Sequence, residues 1–112
     1  MSALNRVQKE AVACLCATMI AADGKIDYRE RELWSAIKLT LDIQESDIPT
    51  FSGEALLKAM IVVRDMPLEG KVLVCKLLVD LMEIDGDVNP TELKLVNTVY
   101  EACGLKEIAK NL

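Results

Sequence analysis

The carboxylates around two Asp-Gly pairs are the residues of this chain best suited to chemistry. The first pair lies in AADGKIDYRE (Ala21–Glu30), and the second lies in EIDGDVNPTE (Glu83–Glu92). Both stretches fit the pattern D-G-x-[I/V]-[D/N]-x-x-E, so side-chain oxygens recur at the same spacing. Oxygen ligands suit Ca²⁺ or Mg²⁺ best, with Mn²⁺ a weaker candidate, and a chain with no histidine offers little to zinc or copper. The pattern leaves three alternatives: an incomplete metal site, a metal site of another kind, or a plain turn between helices.

A degenerate EF-hand is the first alternative, because the second half of an EF-hand calcium loop has this pattern. With Gly24 as the sixth loop residue, the first and third ligand positions fall on Met19 and Ala21. In the second stretch they fall on Leu81 and Glu83. Ca²⁺ takes about six to eight oxygen ligands. Too few remain here, so an intact EF-hand pair is disfavoured, and a degenerate EF-hand-like calcium sensor stays as an alternative.

Helix capping explains much of the same pattern without a metal. Asp27 and Glu30 fit a capping box at the start of one helix, and Asn89 and Glu92 fit another. The glycine of each pair suits the end of the preceding helix. The aspartate before each glycine is less well explained, because a negative charge opposes the dipole at a helix C-terminus. A cation or a turn N–H would offset that cost.

The elements around the two stretches are predicted to be helices. Apolar residues recur at helical spacing, and no segment alternates with a period of two for long enough to form a strand. We expect Val7 on the inner face of the first helix and Leu93 on that of the fifth. The predicted helices run over 2–22, 28–41, 53–63, 68–84 and 90–103, with a short last turn within 105–112.

The chain also resembles itself when it is shifted by 62 residues. VACLCATMIAADGKIDYRERELWSAI then lies over VCKLLVDLMEIDGDVNPTELKLVNTV, and both Asp-Gly pairs coincide. Such self-similarity predicts two copies of one helix-turn-helix unit, about 10–43 and 72–105, packed about a pseudo-twofold axis. The expected fold class is therefore all-α, a compact helical bundle of two pseudo-symmetric halves, within a single domain spanning 1–112.

The composition of the chain limits which binding partners and which cellular compartment we expect. The chain of 112 residues has a formal charge of −5 and no basic cluster, so nucleic acid and anionic membrane surfaces are unfavourable partners. Its longest uncharged run, Ala11–Ala22, is too short to span a bilayer, so direct membrane insertion is not expected. The N-terminus lacks the order of a signal peptide, which favours the cytoplasm. Four cysteines are expected to be free and buried on apolar faces, namely Cys14, Cys16, Cys75 and Cys103.

The doubled pattern, in an acidic helical chain of this length, resembles the TerB-like family of tellurite-resistance and stress-response proteins. A similar domain occurs in DjlA-type membrane-anchored co-chaperones. The resemblance covers about Val7 to Leu105 and is specific only in the two Asp-Gly stretches. It implies a cytoplasmic module with a divalent-cation site built from acidic turn residues. The ligands that the resemblance implies, with Asp87 added because Asn89 replaces an acid, are Asp23, Asp27, Glu30, Asp85, Asp87 and Glu92.

The functional expectation is a non-catalytic module that binds a protein partner. A chain with no histidine, no nucleophile motif and no phosphate-binding loop is not expected to be an enzyme. The predicted docking surface is the acidic stretch of Glu83, Asp85 and Asp87, because surface charge gives speed and selectivity of association. The alternative is a purely structural domain that binds no ion. It would form a homodimer through exposed apolar residues, for which Met66, Leu68 and Ile108 are the candidates.

Overall fold

Six α-helices make up most of the chain. A computed structural model describes residues 4–21, 28–44, 46, 53–84 and 90–111, and within these ranges there is no strand. The all-α prediction is confirmed. The helices are α1 (Arg6–Ala21), α2 (Tyr28–Leu41), α3 (Gly53–Arg64), α4 (Leu68–Glu83), α5 (Pro90–Cys103) and α6 (Lys106–Lys110).

Helix α1 is the centre of the bundle. Every residue from Ala11 to Ala17 is buried, and so is Met19, so this helix has almost no solvent-facing side in its middle. It packs most extensively against α3, and it also contacts α4 and α2. A helix apolar on all sides is stable in this position because its neighbours cover each face.

The helix bounds repeat with the 62-residue spacing seen in the sequence. Helices α1 and α4 each have 16 residues, and α2 and α5 each have 14. The ends of α2 and α5 also match, because Asp42 and Gly104 both have a positive φ. Beyond them, the Ile43 N–H donates to the Lys38 carbonyl at 3.0 Å, and the Leu105 N–H donates to the Tyr100 carbonyl at 2.8 Å. Each of these hydrogen bonds runs from an N–H to the carbonyl five residues earlier, which is the pattern of a Schellman motif at a helix C-terminus.

The start of α1 differs from the prediction. The helix begins at Arg6 rather than near Ser2, because Asn5 forms a reciprocal cap with Gln8. The Gln8 N–H donates to the Asn5 side-chain oxygen at 2.9 Å, and the Asn5 N–H donates to the Gln8 side-chain oxygen at 3.0 Å. This is a capping box with asparagine at the N-cap. Leu4 precedes the helix and is buried.

Three apolar residues lie on other sides of the fold than predicted. Val7 is 60% exposed because it lies in the first turn of α1, outside the core. Leu93 is 43% exposed, because the buried positions of α5 are Glu92, Val96, Val99 and Cys103, spaced by four, three and four residues. Glu92 thus takes the inward position in the first turn of α5, and Leu93 next to it faces outward.

Met66 is the third exception and removes part of the predicted dimer surface. Its side chain is 4% exposed and packs over Gly70, so it belongs to the core. A Cβ at Gly70 would overlap the Met66 methyl and lie 3.3 Å from a Leu4 methyl. Leu68 is exposed as predicted, whereas Ile108 is partly buried and packs against the core.

Candidate functional site

The candidate metal ligands all come from the two Asp-Gly stretches of the sequence, Ala21–Glu30 and Glu83–Glu92. Four of them, Asp23, Asp27, Asp85 and Asp87, lie outside the described residues. The other two are the third residues of α2 and α5, namely Glu30 and Glu92. Each of these side chains is only 3% exposed, and no other charged residue of the described chain is buried.

Burial of two glutamates requires interaction partners for their carboxylates. Acidic side chains are almost never fully buried unless they are paired, and removing an unpaired charge from water costs several kcal/mol. Glu30 and Glu92 each take part in at least one hydrogen-bonding or electrostatic interaction. Hydrogen bonding within a capping box and coordination of a cation both meet this need. The carboxylates therefore fit the oxygen chemistry that a hard cation requires.

The described residues do not complete a metal site by themselves. No group of three or more His, Cys, Asp or Glu side chains in the described ranges is arranged to hold a metal ion. Within those ranges, each half of the repeat contributes one of its candidate ligands. A full ligand set would need the aspartates of the two Asp-Gly stretches, which lie outside the described residues.

A second acidic feature lies at the C-terminal end of α4. Asp80 and Glu83 are exposed, and with Leu33 and Ile84 they line an open hollow of about 380 Å³. Neither carboxylate forms an ion pair or a side-chain hydrogen bond with any residue in the described ranges. Glu83 is thus an exposed acidic residue at the end of α4, and Asp80 is exposed one helical turn before it.

An apolar pocket that sequence reasoning missed adjoins the hollow at Leu33. This pocket has a volume of about 120 Å³ and shares Leu33 with the acidic hollow. We refer to the two together as the α2–α4 groove. The apolar part of the groove is lined by Leu33, Ala36, Ile37 and Thr40 of α2 and by Leu73 and Leu77 of α4. Only the i, i+3, i+4, i+7 spacing on α2 signals it in the sequence, and that spacing also fits an ordinary core face.

The four cysteines are free and buried, as predicted. Burial raises the pKa of the Cys16 thiol to about 12 and that of Cys103 to about 11, and it also raises the pKa of Cys14 and Cys75. The Cys103 Sγ lies 3.4 Å from the Met60 carbonyl oxygen, to which it donates. Thiols with raised pKa values are poor nucleophiles and poor metal ligands at neutral pH. The four buried thiols are therefore poor candidates for site residues.

The comparisons with known proteins give no match. No protein-family model, no curated protein and no solved structure is similar to this chain. None of the helices in the described ranges has the length and hydropathy that a transmembrane span requires.

Proposed function

We propose that this chain is a non-catalytic, TerB-like cytoplasmic module of the stress response. In this proposal it holds a divalent cation, Ca²⁺ or Mg²⁺, in its acidic turns and binds a protein partner through its acidic surface. One observation carries the cation proposal: Glu30 and Glu92 are equally and almost completely buried at equivalent positions of the repeat. The turns just before them supply further acidic residues in the sequence.

The charge of the two glutamates is what separates a metal site from a simple cap. A capping box accepts glutamine as readily as glutamate, because both side chains accept a hydrogen bond from the N-cap N–H. A hard cation depends on the carboxylate, because anionic oxygens are stronger ligands than amide oxygens. In the proposed site Glu30 acts with Asp23 and Asp27, and Glu92 acts with Asp85 and Asp87. The cation would then link the end of one helix to the start of the next.

A thermal-shift titration tests this site. Millimolar Ca²⁺ or Mg²⁺ should raise the melting temperature of the wild-type protein, because a ligand that binds only the folded state stabilises it. The double variant Glu30→Gln with Glu92→Gln can still accept the hydrogen bonds of a capping box, and it should lose the rise. The pair Asp23→Asn with Asp85→Asn should lose it as well.

A matched control removes the same charge elsewhere. Glu69 and Glu107 are exposed acids in the first turns of α4 and α6. The variant Glu69→Gln with Glu107→Gln should therefore keep the wild-type response to the cation. A wild-type melting temperature that stays flat for both ions would end the metal proposal and leave capping as the role of the two turns.

The partner-binding surface in this proposal is the exposed end of α4 and the turn that follows it. Asp80 and Glu83 are exposed here, and Asp85 and Asp87 come next in the sequence. A basic partner would be attracted by these charges and by the net charge of −5. Its association should slow as ionic strength rises, because salt screens exposed charges. An association rate that does not change between low and physiological salt would argue for an apolar contact instead.

A further inference from the structure

The α2–α4 groove combines an apolar pocket with an acidic end whose carboxylates form no ion pair among the described residues. On α4, Leu73, Leu77, Asp80 and Ile84 are spaced by four, three and four residues, so they form one stripe along the helix. At 1.5 Å per residue this stripe is about 16 Å long, or about three helical turns. Its first half is apolar, and its second half carries the carboxylate of Asp80, with Glu83 beside it.

The groove is open because α2 packs on α1 rather than on α4. The backbone of α2 lies close to α1, while its direct contact with α4 is slight at most. On the groove side of α2, Ala36 and Thr40 are both exposed and small, so they leave space between the larger Leu33 and Ile37 and the leucines of α4. An open apolar surface of this kind gains free energy when a partner covers it.

The size of the pocket suits a large side chain. Its volume of about 120 Å³ is close to that of an engineered cavity of about 150 Å³ that binds benzene. A leucine or phenylalanine side chain of a partner would therefore fill it. The centre of the pocket, between Leu73 and Leu77, lies about 10 Å along α4 from the acidic pair, which is about two turns of a partner helix.

We propose that the α2–α4 groove binds an amphipathic helix of a partner protein. A large apolar side chain of that helix enters the pocket lined by Leu33, Leu73 and Leu77, and a Lys or Arg about two turns further on meets Asp80 and Glu83. This inference rests on the proposed partner-binding function and names the chemistry of the partner. Charge complementarity favours a basic helix over a second copy of this chain, since a second copy brings the same net charge of −5.

A synthetic peptide tests the groove directly. The probe is a labelled, alanine-based helical peptide of about 16 residues, long enough to form a helix in water. It carries two leucines one turn apart and two lysines about two turns beyond them. Fluorescence anisotropy should show saturable binding to the wild-type protein. A peptide with glutamate in place of both lysines should bind at least about tenfold more weakly, which corresponds to about 1.4 kcal/mol.

Two arginine variants of α2 provide a steric test with matched charge. Thr40→Arg places a long side chain in the groove, whereas Ser35→Arg places the same charge on an exposed position of α2 outside it. Thr40→Arg should weaken peptide binding at least about tenfold, and Ser35→Arg should leave it near the wild-type value. Circular dichroism should show that both variants are folded, because both positions are exposed. The double variant Asp80→Asn with Glu83→Gln should also bind the lysine peptide about tenfold more weakly than the wild type. It should bind the glutamate peptide no more weakly than the wild type does.

Several results would overturn this inference. Equal binding to the two arginine variants would place the peptide elsewhere, and equal binding of the lysine and glutamate peptides would remove the role of Asp80 and Glu83. A peptide that does not bind would also overturn the inference. The same holds if sedimentation shows that the chain dimerises and the peptide cannot compete for the groove. The wild-type response to Ca²⁺ or Mg²⁺ does not depend on the groove. A peptide that fails to bind while the ion still raises the melting temperature therefore overturns this inference and leaves the proposed cation site standing.

Discussion

Asp42 and Gly104 lie 62 residues apart and both have a left-handed backbone, with φ values of 55° and 70°. Each residue ends a 14-residue helix, and each is followed by a buried aliphatic residue, Ile43 or Leu105. The two halves of the chain therefore use the same helix stop. One half has glycine at this position and the other has a residue for which the conformation is strained.

This difference predicts opposite effects of substitution at the two stops. Asp42→Gly should raise the free energy of unfolding by about 1 kcal/mol, because glycine adopts a positive φ without steric cost. Gly104→Ala should lower it by about 1 kcal/mol for the converse reason, since nothing near Gly104 would obstruct the methyl group itself. Urea unfolding of both variants measures these changes. Effects of the same sign would contradict the shared geometry.

The close contact between Gly70 and Met66 predicts a destabilising effect of Gly70→Ala. The added methyl would overlap the Met66 methyl, which has to shift within a packed core because Met66 is itself buried. Overpacking of this kind typically costs about 1–3 kcal/mol, and alanine recovers at most about 1 kcal/mol of it through its higher helix propensity. Gly53→Ala is the matched control, because Gly53 begins α3 and has no neighbour near its absent Cβ. That control should be neutral or slightly stabilising, since alanine favours helix. Chemical denaturation of the two variants gives the comparison, and an equally stable Gly70→Ala would show that the contact is loose.

The capping box at the start of α1 predicts a specific cost for Asn5→Ala. Loss of the Asn5 side chain removes one of the two reciprocal hydrogen bonds, and N-cap losses cost about 1 kcal/mol. Asn5→Ser keeps an N-cap oxygen and should retain most of the stability. Thermal unfolding of the two variants distinguishes these outcomes. An alanine variant as stable as the serine variant would show that Asn5 does not cap the helix.

The buried thiols predict a loss of stability at high pH. The pKa of Cys16 is raised from 9.0 to about 12 by burial, so the folded protein keeps this thiol protonated while the unfolded chain ionises it. The unfolded state then binds fewer protons, and the free energy of unfolding falls by up to about 1.4 kcal/mol per pH unit between 9 and 12. Urea unfolding at several pH values measures the slope. Cys16→Ala should show a smaller slope, and an unchanged slope would assign the effect to other groups.

The sequence predicted the helices well where local signals mark their ends. The bounds of α2 and α5 match the prediction, because the sequence before each helix has the pattern of an N-cap and because Pro90 and Gly104 flank α5. The start of α1 was missed because Asn5 and Gln8 form a capping box within a stretch that also has helical apolar spacing. A prediction from the spacing of apolar residues alone therefore started this helix too early.

Tertiary features were harder to predict than helix bounds. Spacing placed Leu93 on the inner face of α5, but Glu92 takes that position, and nothing in a capping-box pattern indicates that the glutamate is buried. The α2–α4 groove was missed because it depends on α2 packing on α1 and away from α4. The predicted aspartates of the acidic turns lie outside the described residues, so the metal site remains a proposal supported by its two glutamates.

Native mass spectrometry with Ca²⁺ or Mg²⁺ is the most direct measurement of the central proposal, which is that the buried Glu30 and Glu92 belong to cation sites. The wild-type protein should retain at least one ion, and the variant Glu30→Gln with Glu92→Gln should retain none while it stays folded. Glu69→Gln with Glu107→Gln should bind as the wild type does. Equal retention by all three proteins, or retention of neither ion by the wild type, would contradict the account.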